Sequence, residues 1–120
     1  MNITKYQMWT DTTAVYPEAN KSTEREFNYL QHGAAGECGE TSGYWKKLIR
    51  SGVVELNPNA SLGFLELDHR QKLLAEMGDE LWYLARKCKA MCITLEELAD
   101  MNVTKLQQRK AEGQLGSITR

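Results

Sequence analysis

The chain has 120 residues, of which 42% are hydrophobic and 26% charged, and its formal net charge is −1. That balance predicts one domain with one core and excludes the broad positive field that draws proteins to nucleic acid or anionic membranes. No apolar run approaches the roughly 20 residues of a membrane span and the N-terminal residues lack the layout of a signal peptide, so we expect a cytoplasmic protein.

The first half of the sequence predicts two helices. A first helix is predicted from about Thr4 to Val15, because the residue before Pro17 is disfavoured in a helix. Thr23 with Glu26 three residues later is a capping box, which predicts a long second helix that ends near Arg50. That helix holds four glycines on one arc, at positions 33, 36, 39 and 43. We interpret them as sites of close approach by a neighbouring helix or a bulky ligand; a kinked or irregular helix is the alternative.

The second half predicts a loop and two more helices. Residues 53 to 67 lose helical periodicity, so we predict an excursion that serves as a lid, an oligomer contact or a base-recognition loop. Asp68 with Gln71 predicts a third helix to about Met91, and Thr94 with Glu97 predicts a fourth that ends near residue 113. The short turn between these helices predicts that they lie antiparallel. We expect an all-α, four-helix-bundle-like fold, with one helical domain over residues 1–113 and a loose tail over residues 114–120.

Two acidic motifs carry most of the chemical information. Glu37 and Glu40 lie on the second helix, Glu76 and Asp79 lie on the third, and a spacing of three residues puts each pair on one helix face. If the two helices face each other, the four carboxylates converge, and their repulsion is tolerable only with divalent cations between them. We therefore predict a site for Mg²⁺, with Mn²⁺ as a substitute, and for phosphates. The alternative is that the acids are solvated surface charge on a non-catalytic helical interaction module.

Basic and polar side chains that could bind phosphates lie near these acids. Lys47 shares a helix face with Glu40, and Asn102, Lys105 and Arg109 share one face of the fourth helix. The alternative for the last three is a solvated helix end.

Other candidate groups have a structural interpretation. We expect Trp45, Trp82 and Tyr83 to be core residues rather than base-stacking ones, and Cys88 and Cys92 to be buried, reduced thiols. Glu66 and His69 form one ExxH motif, which raises a di-metal carboxylate protein as a weaker alternative, since such bundles need two ExxH helices.

The chain resembles the MazG-like nucleoside triphosphate pyrophosphohydrolases of the all-α type, whose hallmark is an ExxE pair followed at a distance by ExxD. The resemblance covers roughly residues 3 to 113. In order, the matching segments are residues 36–40, 46–47, 76–85, 95–99 and 102–106, with Arg109. The stretch between Glu40 and Glu76 is longer than is typical of that family, and the extra length falls in the excursion.

The resemblance implies a helical bundle that binds Mg²⁺ through Glu37, Glu40, Glu76 and Asp79. It implies hydrolysis of a nucleoside triphosphate between its α- and β-phosphates, which gives a monophosphate and pyrophosphate. Lys47 would join the acids in catalysis, and Glu37 or Glu40 is the candidate for orienting the attacking water. The residues implied to contact phosphate or sugar are Asn102, Lys105 and, less strongly, Arg109. A homodimer or homotetramer is expected from the family and from the small apolar interior.

Overall fold

A computed structural model describes residues 1 to 114, and all of the regular structure in this range is helical. The helices are α1 (Ile3–Trp9), α2 (Glu24–Arg50), α3 (Leu67–Ala90) and α4 (Leu95–Ala111), with 3₁₀ turns at Thr10–Thr13 and Leu62–Phe64. Over these residues the all-α prediction is confirmed. None of the described helices is long and apolar enough to cross a membrane. The tail predicted for residues 114–120 lies outside the described residues, apart from its first position.

The starts of α2 and α4 are set by the predicted threonine caps. The Thr23 hydroxyl accepts the Glu26 N–H at 3.2 Å, and the Thr94 hydroxyl accepts the Glu97 N–H at 2.9 Å. Each bond satisfies one of the N–H groups that a helix leaves without an internal partner. The predicted cap of α3 is wrong, because α3 begins at Leu67 and its N-cap residue makes no side-chain bond.

The first helix is shorter than predicted. It ends at Trp9, and the next four residues tighten into a 3₁₀ turn. Three threonine hydroxyls in this stretch donate to the backbone carbonyl three residues earlier: Thr10 to Gln7, Thr12 to Trp9 and Thr13 to Thr10. Such local bonds compete with the α-helical ladder, which explains the early end.

Helices α2 and α3 form a long antiparallel pair, and this pair carries the acidic motifs. Tyr83 of α3 lies against Gly33 of α2 near one end, and the Tyr44 hydroxyl lies 2.8 Å from His69 Nδ1 near the other. Helix α2 is α-helical throughout from Glu24 to Arg50, so the alternative of an irregular stretch is wrong. Close approach is confirmed only at Gly33, since nothing lies within 4 Å of a Cβ added at Gly36, Gly39 or Gly43.

Gly33→Ala and Gly43→Ala are a matched test of this packing. A methyl group at position 33 would overlap the Tyr83 ring and force it to move, so we expect a loss of about 1–3 kcal/mol in unfolding free energy. The same change at position 43 meets open space and should stabilise α2 by up to about 1 kcal/mol. Urea unfolding of the two variants measures both effects. A Gly33→Ala variant with the same unfolding free energy as Gly43→Ala would show that Tyr83 does not pack on α2.

A buried polar network joins the chain before α2 to α3, and the sequence did not reveal it. Arg86 of α3 is fully buried. Its guanidinium donates to Tyr16 Oη, Thr10 Oγ1, Asp11 Oδ1 and Asn20 Oδ1. These bonds satisfy a charge that could not otherwise be buried.

Glu26 completes this network from α2. It is also fully buried, and its carboxylate accepts the Tyr16 hydroxyl at 2.6 Å and the backbone N–H groups of Asn20 and Ser22 at 2.8 Å each. Burial alone would raise the pKa of Glu26, but these hydrogen bonds lower it. The carboxylate therefore stays charged and fixes the loop between α1 and α2. Three residues of that loop, Glu18, Asn20 and Ser22, have positive φ angles.

The apolar core is small and lies where α1, the end of α3 and the start of α4 meet. Ala85, Cys88 and Leu95 form its centre, with Tyr6, Ile93 and Leu98 packed around them. Gln7 ties the three helices together there: its Nε2 donates to the Ile93 carbonyl at 3.0 Å and its Oε1 accepts the Leu95 N–H at 2.9 Å. Cys88 is buried as predicted, whereas the prediction for Cys92 is wrong, because that thiol is exposed.

Much apolar surface stays uncovered in the single chain. Four side chains at helical spacing along α3 are 38–51% exposed: Leu74, Met77, Leu81 and Leu84. We call this set the α3 stripe. Along α4, Arg109 is half-buried and the other residues after Leu98 are exposed. The packing expected for an antiparallel pair of α3 and α4 is therefore not seen along this part of α4. The accessible surface of 8863 Å² is about a third more than the roughly 6,600 Å² expected for a compact chain of 13.7 kDa.

Candidate metal centre

Three of the four predicted acids converge between α2 and α3. Glu37, Glu76 and Asp79 each offer a carboxylate oxygen, and these oxygens lie within 4.8 Å of one another. Glu37 comes from α2 and the other two from α3, so the antiparallel pairing of the helices creates the cluster. Oxygens at this spacing, from two helices, can bind a hard divalent cation, which takes carboxylate oxygens together with water and phosphate oxygens.

Glu37 is the most perturbed acid of the cluster. Its Oε2 atom is buried and has no hydrogen-bond partner among the described residues. Burial, followed by the negative charges of Glu40, Asp79 and Glu76, raises the pKa of Glu37 to about 7. A buried carboxylate oxygen that faces two other carboxylates and has no donor is suited to a cation.

Glu40 and Lys47 lie outside the close group formed by Glu37, Glu76 and Asp79. Glu40 is exposed and is not part of the close group of three, although its charge contributes to the raised pKa of Glu37. Lys47 is exposed, and within residues 1–114 no ion pair joins it to the acids.

No hydrogen bond or ion pair within the described residues joins the three predicted phosphate-binding residues of α4 to the acids. Asn102 and Lys105 are exposed and Arg109 is half-buried. Within the described residues α4 packs against α1 and α3 and not against α2, which carries Glu37 and Glu40. The role of Asn102, Lys105 and Arg109 in substrate binding therefore stays a prediction.

Lys72 was not among the predicted site residues, yet it contacts the cluster. Its Nζ lies 3.8 Å from Glu76 Oε1 and 5.4 Å from the centre of the Tyr44 ring. The sequence held a signal for the first contact, since residues four apart on a helix are neighbours. The contact with Tyr44 depends on how α2 and α3 pair, which the sequence did not specify.

Aromatic side chains close the opposite end of the cluster. Tyr83, one turn after Asp79, covers Gly33, and Trp82 packs edge-on against both Tyr83 and Tyr16. The indole N–H of Trp82 donates to Thr13 Oγ1 at 2.8 Å. Trp82, Tyr83 and Trp45 are all half-buried, so they are partly core residues as predicted and partly accessible.

The ExxH motif does not join the acid cluster. His69 Nδ1 bonds to the Tyr44 hydroxyl, and His69 Nε2 lies 3.9 Å from Glu66 Oε2. Among the described residues, the group with metal-ligand spacing contains neither of them. The di-metal carboxylate alternative, which needs histidine ligands beside the acids, gains no support.

The chain was compared with known proteins. It is 32% identical over 114 residues to the Gene 37 protein of Mycobacterium phage L5, and the alignment covers 94% of this chain and 92% of that protein. The chain belongs to the family of that phage protein. No family model matches the chain, and no solved structure matches it. The name of the relative states no activity, so the chemistry must be argued from the site itself.

The raised pKa of Glu37 predicts how stability depends on pH. The folded protein holds the Glu37 proton up to about pH 7, whereas the unfolded chain loses it near 4.5. Between these values the folded state binds more protons, so the unfolding free energy falls as the pH rises. We expect the Tm of the metal-free protein to fall from about pH 5 to about pH 8, and Glu37→Gln to lack this fall. A wild-type Tm that rises over the same range would contradict the placement of Glu37.

Proposed function

We propose that the protein is a Mg²⁺-dependent nucleoside triphosphate pyrophosphohydrolase of the MazG-like type. The observation that carries this proposal is the convergence of Glu37, Glu76 and Asp79, with one buried and unpartnered oxygen, from the two helices that bear the ExxE and ExxD motifs. Surface acids placed for solubility have no physical reason to converge, because their mutual repulsion costs stability.

The donor set fits Mg²⁺ on its chemistry. The three close residues supply carboxylate oxygens only, the ligands that Mg²⁺ prefers, and few carboxylates leave room for water and substrate phosphate. Glu37, Glu76 and Asp79 would hold the metal, with Glu40 close by. When bound, the metal supplies charge for phosphate oxygens and lowers the pKa of a coordinated water.

The remaining steps, proton transfer and charge stabilisation, would fall to the protein side chains. Glu37 or Glu40 is the candidate to accept a proton from the attacking water, and an acid in this role would act as a base instead of a metal ligand. The helix pair fixes the carboxylates in place, which lowers the cost of arranging charge when the triphosphate reacts. The substrate class is a ribo- or deoxyribonucleoside triphosphate, cleaved to a monophosphate and pyrophosphate.

A homo-oligomer is part of this proposal. The α3 stripe and the excess accessible surface support it, since a single chain leaves more surface uncovered than a compact protein of this size does. A homodimer or homotetramer would cover that surface. Sedimentation equilibrium of the wild type and of Leu81→Glu tests this part, and a monomeric wild type would contradict it.

The activity itself is tested by a substrate screen. The purified protein is incubated with the common and several damaged nucleoside triphosphates, in Mg²⁺ or in EDTA, and the products are separated. We expect Mg²⁺-dependent release of monophosphate from at least one substrate. The rival, a non-catalytic interaction module with surface acids, predicts no turnover and no rise in Tm when Mg²⁺ is added.

A further inference from the structure

Lys72 is the basic residue that touches the acid cluster. Among the described residues, its contact with Glu76 is the one ion pair made by any of the four predicted acids. The order of the pair is notable, because lysine precedes glutamate, and this order stabilises a helix less than the reverse. The Glu76 side chain is 16% exposed and that of Lys72 is 56% exposed, so the ammonium group is open to a ligand.

The Tyr44 ring on the facing helix α2 lies beneath the ammonium group of Lys72. The ammonium lies over the Tyr44 ring, within the range of a cation–π contact. The Tyr44 hydroxyl is in turn fixed by its 2.8 Å bond to His69 Nδ1. Both neighbours of the ammonium group, a ring and a carboxylate, are therefore held in place by the α2–α3 pair.

The two ends of the acid cluster differ in chemistry. Going along the helix pair, Lys72, Tyr44 and His69 lie on one side of the carboxylates, and Tyr83 against Gly33 lies on the other. A triphosphate that spans the cluster has one polyanionic end and one end that carries a base. The cationic side suits the polyanionic end, and the aromatic side suits the nucleoside.

We propose that Lys72 is a positioning residue that changes partner: it neutralises Glu76 in the metal-free protein and binds the pyrophosphate end of the substrate once a metal occupies the carboxylates. This inference rests on the proposed function. A divalent cation on Glu76 takes over the carboxylate and repels the ammonium group, so Lys72 loses its partner as the phosphates arrive. No covalent step involves Lys72, which changes partner by side-chain rotation.

The test uses the full-length protein with three variants: Lys72→Met, Lys72→Arg and, as a control, Arg70→Met. Arg70 is exposed on the same helix, about 200° around the axis from Lys72, and its replacement removes the same charge. Calorimetry measures the binding of Mg²⁺ alone and then of inorganic pyrophosphate to the Mg²⁺-loaded protein. Steady-state kinetics gives KM and kcat for the best triphosphate found.

We expect Lys72→Met to bind Mg²⁺ at least as tightly as the wild type, because the ammonium group of Lys72 no longer competes with the metal for Glu76. It should bind pyrophosphate about 10-fold more weakly and show a similar rise in KM, with a smaller change in kcat. Lys72→Arg should recover most of the pyrophosphate affinity, and Arg70→Met should match the wild type. The 56% exposure of the Lys72 side chain makes a folding defect improbable, and circular dichroism checks this.

Two results would overturn the inference while leaving the proposed function intact. One is unchanged pyrophosphate affinity and KM in a Lys72→Met protein that still binds Mg²⁺. The other is loss of Mg²⁺ binding in Lys72→Met, which would make the lysine a support of the metal site rather than its competitor. Failure of the proposed function looks different: the wild type itself would neither bind Mg²⁺ nor turn over any triphosphate.

Discussion

Glu76→Gln and Asp79→Asn should each abolish turnover and weaken Mg²⁺ binding by about 100-fold or more, since each removes a charged ligand from a group of three. The fold should survive without metal, and the unfolding free energy should rise by about 1 kcal/mol, because one of several converging negative charges has gone. Calorimetric Mg²⁺ titration, urea unfolding in EDTA and assays on the best substrate measure the three effects.

Glu80→Gln is the matched control for this experiment. Glu80 neighbours Asp79 on the same helix, but its Oε1 accepts the Thr41 hydroxyl at 3.3 Å and it is not in the close group of three. This variant should keep Mg²⁺ binding and turnover. Full activity in both Glu76→Gln and Asp79→Asn would remove the acid cluster from the mechanism.

Arg86→Met should lower the unfolding free energy by about 3–5 kcal/mol, the largest stability effect expected for a single substitution in this chain. The change leaves the buried carboxylate of Glu26 without the compensating positive charge, and it leaves Asp11 and Asn20 without their donor. Arg86→Lys should also destabilise, because an ammonium group cannot match the planar set of bonds that the guanidinium makes. Urea unfolding in the absence of metal gives both values.

The double variant Arg86→Met, Glu26→Gln tests whether the loss arises from unpaired charge. Removing both charges should cost less than the sum of the two single changes, because neither is left buried alone. Lys110→Met, at an exposed position of α4, is the control and should change stability by less than about 0.5 kcal/mol. A loss below about 1 kcal/mol for Arg86→Met would show that this network is not buried as described.

Local signals predicted the parts of the fold that depend on neighbouring residues. The threonine caps of α2 and α4 were read from spacing alone, because a cap is made within four residues of its helix. The acid cluster was also predictable. The three-residue spacing already puts each pair of acids on one helix face, so the cluster forms if the two helices face each other. Three of the four acids meet in this way, while Glu40 stays more exposed.

Features set by tertiary contacts were not predictable from spacing. Nothing in the residue spacing marked Arg86 or Glu26 as buried, because their burial requires the loop between α1 and α2 to supply Tyr16 and Asn20. Leu74 and Leu81 of the α3 stripe stay exposed, because one chain provides no partner for them. Helix propensity also gave no indication that α4 would leave most of its length exposed.

The measurement that tests the central claim most directly is ³¹P NMR of the reaction mixture with the best triphosphate and Mg²⁺. The account predicts that monophosphate and pyrophosphate appear together in equal amounts, and that neither appears with Glu76→Gln. Diphosphate and orthophosphate as the first products would contradict the proposed cleavage between the α- and β-phosphates. Equal rates for wild type and Glu76→Gln would contradict the assignment of the reaction to the carboxylates of α2 and α3.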